Sequence, residues 1–426
     1  MALRKRSYLL VISIIFLGCK SEIKEKKKMD MSNSKHTPLH FDLVENSIRF
    51  FDKNAFDHKS GAYFSEVDTA GKVTSNKIHL VALSRLIYAL EYASKFDSRY
   101  KERALAASDF FIQNFLAKDS LGSYFIETIT IDGEPSIPEN LGIWQQSYGL
   151  GGLAAISRLK KDEATLKLLH SSFEGYYSHF HDADSKGFVG SYSIDDGIQY
   201  DDKTLQSILY PLSAAMFYLW EQDVENRHKY EPFLKENINL LLKHGWNSEL
   251  GWVNLKFDKE WGLCKNEDNG EPCINVVPGH NFQLGWVLLQ SSTLPFVSTE
   301  KQLQCKILGT KIIETSMKKP IWDSSVSNGF FNEVNPATSE VLSKQKTWWQ
   351  HAEAITALSF VKDSYSSEYH ELFSFFKNNF VDFENGNEHF FLNEDNSPVN
   401  DEPKGSMGKS SYHVTEMIYY LNENDK

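Results

Sequence analysis

Asp57-His-Lys-Ser-Gly-Ala-Tyr-Phe64 is the stretch that decides the fold: an Asp or Asn, a few residues, then a Gly close to an aromatic residue. Such turns between short aromatic and β-branched runs are typical of small β-hairpins. The chain contains six of them, at Asp57…Gly61, Asp119…Gly122, Asp184…Gly187, Asn247…Gly251, Asp323…Gly329 and Asp382…Gly386. Successive turns are 62, 65, 63, 76 and 59 residues apart, which leaves room for two helices of about 12 to 20 residues and their loops. The sequence therefore predicts six helical hairpins.

The segment after each turn has the apolar period of a helix. Residues 204–219 contain no charged side chain, and a helix that is apolar all round is buried. These first helices are predicted at 79–96, 141–159, 204–220, 281–289, 348–361 and 412–421. The second helices carry charges on one face and are predicted outside, at 98–116, 163–179, 230–243, 300–317 and 366–379. An inner ring within an outer ring is an all-α (α/α)6 barrel, with the β-hairpins and a pocket at the end where the inner helices begin.

Composition narrows the function classes. The chain has 426 residues, of which 41% are hydrophobic and 13% aromatic, enough for a large core and suited to sugar recognition. Its net charge is −12 and its pI about 5.7, so nucleic-acid binding is not expected. Because neighbouring repeats share one core, we expect residues 39–426 to form a single catalytic domain.

The first residues resemble a bacterial lipoprotein signal. A basic start is followed by a short apolar run and then Gly18-Cys19, the pattern at which lipoprotein processing takes place. We expect a signal peptide at 1–19, lipidation at Cys19 and a flexible polar tether at 20–38. This predicts a lipid-anchored protein of the bacterial cell envelope, in contact with the membrane only through its N-terminus.

Three cysteines remain after Cys19. In an oxidising envelope compartment, Cys264 and Cys273 can pair and close a short loop, and Cys305 is left over. The sequence has no CxxC, no HExxH and no clustered His spacing, so we predict no metal site.

Polar residues recur near the start of the predicted inner helices. Buried polar groups without partners cost about 1 to 3 kcal/mol each, and packing alone is a poor explanation for the recurrence. We therefore expect these side chains to converge on the barrel axis as a functional site. They are Arg85, Gln145, Gln146, Tyr148, Gln206, Tyr210, His280, Gln283, His351, Glu353 and His413.

Four motifs in this order resemble the superfamily of N-acylglucosamine 2-epimerases and cellobiose 2-epimerases, which includes mannose and sulfoquinovose aldose–ketose isomerases. The motifs are Asn76-Lys77 with Ser84-Arg85-Leu86-Ile87-Tyr88, Pro278-Gly279-His280-Asn281-Phe282-Gln283, Thr347-Trp348-Trp349-Gln350-His351-Ala352-Glu353, and Lys409-Ser410-Ser411-Tyr412-His413. The resemblance covers nearly the whole chain after the tether.

The resemblance implies an isomerase without a cofactor that acts on a sugar or oligosaccharide. His280 and His413 match the histidine pair that moves the hydrogen at carbon 2, and Arg85 matches the cation that stabilises the enediolate. Histidine, with an ordinary pKa near 6.5, suits such a shuttle. Trp349 and Glu353 match a sugar-stacking Trp and a carboxylate bonded to substrate or to a histidine. The remaining expected substrate contacts are Gln283, Tyr148, Gln206, Tyr210 and Trp286.

Three departures from the family predict an unusual substrate. The family usually has a Glu three residues after the first histidine, and this chain has Gln283, which cannot raise the basicity of His280 as a carboxylate does. The stretch 206–210 lacks the histidine that many epimerases carry there, and His351 replaces a common Gln.

Two other classes remain open. A glycoside hydrolase or polysaccharide lyase on the same barrel needs two carboxylates near the axis, or a lyase base, and Asp201, Asp202 and Glu353 are the available acids. A non-catalytic glycan-binding lipoprotein would explain Gln283 but not the presence of His280, His413 and Arg85 together. Neither the sugar, nor the choice between epimerase and isomerase, nor that between monomer and dimer follows from the sequence.

Overall fold

The computed structural model describes residues 37–136, 139–200, 202–323 and 329–425. They belong to one compact unit, His36–Lys426. The expected signal peptide at 1–19, with Cys19, lies outside the described residues, as does the expected tether except for Thr37 and Pro38. Within the described part of the chain, no helix combines the length and the apolar character needed to cross a membrane.

The helices of the described residues form two rings, and the predicted (α/α)6 barrel is confirmed. They are α1 Phe41–Asn54, α2 Leu80–Ser94, α3 Arg99–Asn114, α4 Ile143–Lys160, α5 Glu163–Phe180, α6 Gln206–Tyr210, α7 Phe217–Gln222, α8 Arg227–His244, α9 Gly279–Ser291, α10 Thr299–Met317, α11 Trp348–Phe360, α12 Ser366–Phe375 and α13 Tyr412–Asn424. The inner ring consists of α2, α4, α6 with α7, α9, α11 and α13. The outer helices α1, α3, α5, α8, α10 and α12 pack against it.

The N-terminal outer helix α1 was not among the predicted helices. Its apolar positions Phe41, Val44, Ile48 and Phe51 are all buried, as the helical period of 3.6 residues requires. The helix packs against both α13 and α2. Leu39, just before it, exchanges two hydrogen bonds with the Asn422 side chain at 2.8 and 3.1 Å. The ring is therefore closed between the first and the last described helices.

The third inner helix differs from the continuous helix predicted at 204–220. Between α6 and α7 the chain forms a π-helical turn, Pro211–Met216. Proline has no backbone N–H and disturbs the turn before it. The widened turn packs closely on α4, where a Cβ on Gly151 would lie 2.1 Å from the Ala214 carbonyl oxygen. Tyr210 is the last residue before the distortion.

All six predicted hairpins have their paired residues in the described part of the chain, each between an outer helix and the next inner helix, while residues 324–328 of the fifth turn lie outside it. They are formed by the pairs Phe56–Tyr63, His181–Phe188, Trp322–Phe330 and Val381–Glu388, by β2 with β3, and by β9 with β10. One detail of the prediction is wrong. In the third turn it is Asp182, not Asp184, whose side chain accepts backbone N–H groups, from Asp184 and Ser185.

Three of these turns are fixed by a buried lysine. Lys203 and Lys404 each donate to the turn aspartate at 2.6 Å, to Asp182 and Asp382 respectively. Lys346 lies 2.9 Å from Asp323 in the same arrangement. Because a buried charge is stable only when paired, each lysine holds its hairpin in one position.

The strands are short and pair antiparallel. They are β1 Lys77–His79, β2 Leu116–Lys118, β3 Ser123–Phe125, β4 Thr128–Thr130, β5 Pro135–Ser136, β6 Asn140–Gly142, β7 Ser191–Ser193, β8 Ile198–Tyr200, β9 Trp246–Asn247, β10 Trp252–Val253, β11 Glu333–Val334, β12 Val341–Ser343, β13 Lys346–Thr347 and β14 Phe391–Leu392. A disulfide joins Cys264 and Cys273, and Cys305 is buried and free.

Candidate active site

Some of the buried polar residues on the inner helices hold the hairpins in place. Gln146 forms two hydrogen bonds with the backbone of Phe125 in β3. Its side chain accepts from the N–H at 2.9 Å and donates to the carbonyl at 2.8 Å. Asn281 likewise accepts the N–H of Val253 in β10 at 3.0 Å. The recurrence of polar residues at helix starts thus has a structural cause at these positions.

His351 has the same structural role, which sequence reasoning left undefined. Its Nδ1 donates to the Thr347 carbonyl at 2.8 Å, and its Nε2 accepts the Phe330 N–H at 3.1 Å. The ring is completely buried and stacks on Phe330 at 4.1 Å. Burial lowers the pKa of His351 to about 3. We conclude that it is a neutral histidine that anchors the fifth hairpin.

His280 and His413 both lie next to one indole. The ring of Trp349 is 5.1 Å from that of His280 and 6.0 Å from that of His413, measured between centroids. The start of α9 touches α11, because a Cβ on Gly279 would lie 2.6 Å from the Gln350 side chain. This close approach brings His280 beside Trp349.

Arg85 faces the same region from α2. Its guanidinium lies 4.2 Å from the ring centroid of Tyr148, 5.1 Å from that of Tyr412 and 5.8 Å from that of Trp144. It donates to the Gly408 carbonyl, while its Nε has no hydrogen-bond partner among the described residues. The aromatic rings hold the guanidinium in place, and its Nε–H group remains available as a hydrogen-bond donor.

Glu353 connects three of the predicted site residues. Its Oε1 lies 3.1 Å from His413 Nδ1 and 3.2 Å from Gln283 Nε2, and its Oε2 accepts from Trp286 Nε1 at 2.6 Å. Glu353 is only 2% exposed. Burial, followed by the nearby charge of Glu416, raises the pKa of this carboxyl well above its usual range.

Trp286 was expected to bind substrate directly, and its position does not fit that role. Its side chain is completely buried behind Glu353 and packs on Phe360 and Tyr420. It is therefore a positioning residue for Glu353. Tyr148 and Tyr210 are neighbours, 5.8 Å apart between ring centroids, and Gln206 is exposed at the start of α6.

Both histidines are held in the neutral form. Burial lowers the pKa of His280 to about 4, and its Nδ1 has no partner among the described residues. Burial also lowers the pKa of His413, and the positive charges of Arg85 and Lys409 lower it further. A neutral imidazole has a lone pair available for a proton, which is the form that a base requires.

Sequence reasoning missed Glu416 and its tyrosines. Glu416, 3% exposed, accepts from Tyr412 at 2.6 Å and from Tyr218 at 2.9 Å. The two hydroxyls are 3.0 Å apart. The available signal was the spacing of Tyr412 and Glu416, one turn apart on a helix whose face is otherwise apolar.

A buried ion pair lies next to the segment that precedes α13. Lys409 is 3.5 Å from Glu388 and 4.1 Å above the ring of Trp348, whose centroid is 6.0 Å from that of His413. Burial lowers the pKa of Lys409 to about 8. The pair fixes the segment that leads into His413.

Comparison with known proteins shows a family match and a shared fold. The sequence profile of the N-acylglucosamine 2-epimerase (GlcNAc 2-epimerase) family matches residues 62–417. Cellobiose 2-epimerase of Dictyoglomus turgidum is 21% identical over 399 residues, which cover 88% of this chain and 94% of that protein. The structure of cellobiose 2-epimerase from Spirochaeta thermophila superposes with a TM-score of 0.76 at 18% identity, covering 90% of this chain and 94% of the other. A D-mannose isomerase structure gives 0.76 at 17%, covering 90% and 96%.

Proposed function

Because this chain belongs to the N-acylglucosamine 2-epimerase family and is an isomerase-type enzyme, we propose that it is a sugar 2-epimerase or aldose–ketose isomerase that requires no cofactor. Its substrate would be a mono- or oligosaccharide in the open-chain form. The reaction would pass through an enediolate, with His280 and His413 as the proton-transfer groups. Arg85 would stabilise the negative charge.

The observation that carries this proposal is the placement of two neutral imidazoles next to the same indole, that of Trp349. Epimerisation needs a base on one face of carbon 2 and an acid on the other. A sugar stacked on the indole would lie close to both imidazoles, since sugar C–H groups pack on aromatic faces. Isomerisation would use the same groups, with the proton returned to carbon 1.

In the first step, His280 would take the proton from carbon 2, and the C–H electron pair would move into the enediolate. Arg85 would bind the developing oxyanion through its unpartnered Nε. A fixed cation in a partly dry site lowers such a barrier by several kcal/mol. Tyr148 and Tyr412 keep the guanidinium oriented without neutralising its charge.

In the second step, His413 would return a proton through Nε2, because its Nδ1 is occupied by Glu353. Glu353 fixes the orientation of the ring, and Trp286 and Gln283 fix Glu353 in turn. Tyr148, Tyr210 and Gln206 would bind the sugar hydroxyls beyond the reacting carbons.

One observation favours the hydrolase alternative, and another argues against it. Glu353 and Glu416 are indeed two carboxyls near the axis. Both are buried, and Glu416 is bonded to Tyr412 and Tyr218, so the pair is not arranged on either side of a glycosidic bond with room for water. This favours the proton shuttle over hydrolysis.

Proton NMR in deuterated water tests the proposal. The chain without its first 38 residues is incubated with aldoses, ketoses and short β-linked oligosaccharides. We expect deuterium at carbon 2 of a substrate, and loss of the exchange in both His280→Ala and His413→Ala. His370→Ala, on the exposed side of α12, is the matched control and should exchange normally. Exchange that survives in either active-site variant, or none with any sugar, would contradict the proposal.

We also propose that the enzyme is lipidated at Cys19 and acts in the cell envelope. The support is the sequence pattern before Cys19, and the Cys264–Cys273 disulfide suits an oxidising compartment. Mass spectrometry of the N-terminal peptide from a membrane fraction tests it. A Cys19→Ala variant that stays in that fraction would contradict it.

A further inference from the structure

The buried carboxyl of Glu416 has no role in the shuttle as derived so far. One oxygen of Glu416, one of Glu353 and one ring nitrogen of His413 all lie within 4.8 Å of one another. Glu416 and His413 are one turn apart on α13, and Glu353 reaches them from α11. Two acids therefore stand beside one catalytic histidine.

The charges around the two carboxyls allow only one of them to ionise easily. The cation that faces both is Arg85; Lys409 lies nearer to His413 and is paired with Glu388. The other titratable groups facing them stay neutral at working pH, since burial raises the pKa of each; they are Tyr88, Tyr148, Tyr210, Tyr218, Tyr412 and Tyr420. Two carboxylates so close together, away from water and with one cation, repel each other.

The hydrogen bonds indicate which carboxyl keeps the proton. Glu416 Oε1 accepts from two tyrosine hydroxyls, an arrangement that suits a carboxylate oxygen. Glu353 Oε1 accepts one N–H from Gln283 and faces His413 Nδ1, which can itself accept. A proton on Glu353 Oε1 can therefore be donated to His413 Nδ1. A proton on Glu416 Oε1 would instead displace one of the two tyrosine hydroxyls that donate to that oxygen.

We propose that Glu416 is a positioning residue that keeps a proton on Glu353, and that Glu353 delivers this proton to His413 when the enediolate is protonated. The inference rests on the proposed function. As the Nε2–H bond of His413 breaks and the new C–H bond forms, the O–H bond of Glu353 breaks and the proton moves to Nδ1. His413 remains neutral at the end of the step, and Glu353 carries the negative charge. The reverse reaction runs the same transfers backwards.

The first histidine has no carboxyl one turn further along its helix, because position 283 is an amide. The second histidine has two carboxyls beside it, those of Glu353 and Glu416. In this chain the acid–base support is therefore at His413. His280 would act without a carboxyl partner, while His413 would receive a proton from Glu353.

Infrared titration of the protonated carboxyl band tests the inference without any substrate. Above about pH 7, where Glu416 is ionised, we expect a buried protonated carboxyl band in the wild-type protein that is absent from Glu353→Gln. In Glu416→Gln this band should disappear at lower pH than in the wild type, because the repelling charge is gone. Absence of the band from the wild type, or an unchanged titration in Glu416→Gln, would overturn the inference.

The pH profile of deuterium exchange provides the second readout. We expect its alkaline limb to move to lower pH in Glu416→Gln and to return in Glu416→Asp, which restores the charge. Tyr218→Phe removes one donor to Glu416 and should move the limb in the same direction by less, which keeps the test available if Glu416→Gln does not fold. Glu423→Gln, two turns further along α13 and exposed, is the matched control and should leave the profile unchanged. An alkaline limb at the wild-type position in folded Glu416→Gln would overturn the inference.

The two proposals can fail separately. If no sugar exchanges but the infrared band behaves as expected, the proposed function fails and the proton on Glu353 stands. If exchange occurs and the band does not respond to Glu416, the shuttle stands and the role of Glu416 is wrong.

Discussion

Gln283 binds Glu353 on the neighbouring helix instead of the histidine on its own: its Nε2 lies 3.2 Å from Glu353 Oε1. As a result, His280 Nδ1 and Gln283 Oε1 are both buried without hydrogen-bond partners among the described residues. The two residues are one helical turn apart on α9. Residues three apart lie on one face of a helix, so we expect the residue at position 283 to influence how basic His280 is.

A carboxylate at position 283 should make His280 more basic. We expect Gln283→Glu to raise the pKa of His280, because a nearby negative charge favours the imidazolium. The acid limb of deuterium exchange then moves to higher pH. The same change adds a third carboxyl near Glu353, so the melting temperature should fall. Gln283→Met, which has a similar size and no charge, is the control; an acid limb that stays in place in Gln283→Glu would refute the prediction.

Trp286→Phe should impair turnover without weakening binding. The variant keeps a ring against Phe360 and Tyr420 but loses the N–H that Glu353 Oε2 accepts. Loss of such a bond costs about 1 to 3 kcal/mol, and we expect kcat to fall roughly tenfold with KM nearly unchanged. Trp252→Phe, which loses an N–H bonded to Ser339 in a hairpin, should leave kcat as it was. A rise in KM as large as the fall in kcat would indicate direct contact with the sugar.

His351→Ala should affect stability and not chemistry. It removes the bonds to Phe330 and Thr347 and the stacking on Phe330, at a cost of about 2 to 4 kcal/mol. Denaturant unfolding measures the loss. Exchange per folded molecule, measured well below the melting temperature, should stay near the wild-type value. A variant of normal stability that has lost exchange would place His351 in the reaction.

The stability that the neutral buried histidines contribute should fall when the pH drops below neutrality. Burial lowers the pKa of His280 to about 4 and that of His351 to about 3 in the folded chain, whereas an unfolded histidine titrates near 6.5. The unfolded state therefore takes up protons first, and the stabilisation, complete above pH 6.5, is lost progressively towards pH 4. Denaturant midpoints from pH 8 to pH 4.5 measure this. His351→Gln should lose less stability over that range than the wild type, and an equal loss would show that His351 does not contribute.

The sequence predicted the architecture well because its signals are local and repeated. Turn residues and apolar periods gave the hairpins and the inner helices. The outer helix α1 was missed because no turn pattern precedes it, and the π-helical turn at Pro211–Met216 was missed although Pro211 was a signal for it in the sequence.

The candidate site was predictable only in part. Residue type and the family resemblance indicated His280, His413 and Arg85, and the structure shows that both histidines lie next to the indole of Trp349. The sequence could not separate Gln146 and His351, which anchor hairpins, from residues that face the axis, because both kinds occupy the first turn of an inner helix. Nor did it reveal Glu416, since a carboxyl acquires its role from partners on other helices.

The packing of α1 between α13 and α2 has a consequence for synthesis. During translation α1 is made before α13, so the apolar face of α1 has no complete partner surface until α13 has left the ribosome. The same helix carries His413 and Glu416. The closing of the ring and the arrival of His413 are therefore one event, and under the proposed mechanism a nascent chain that has not yet closed lacks its second proton-transfer group.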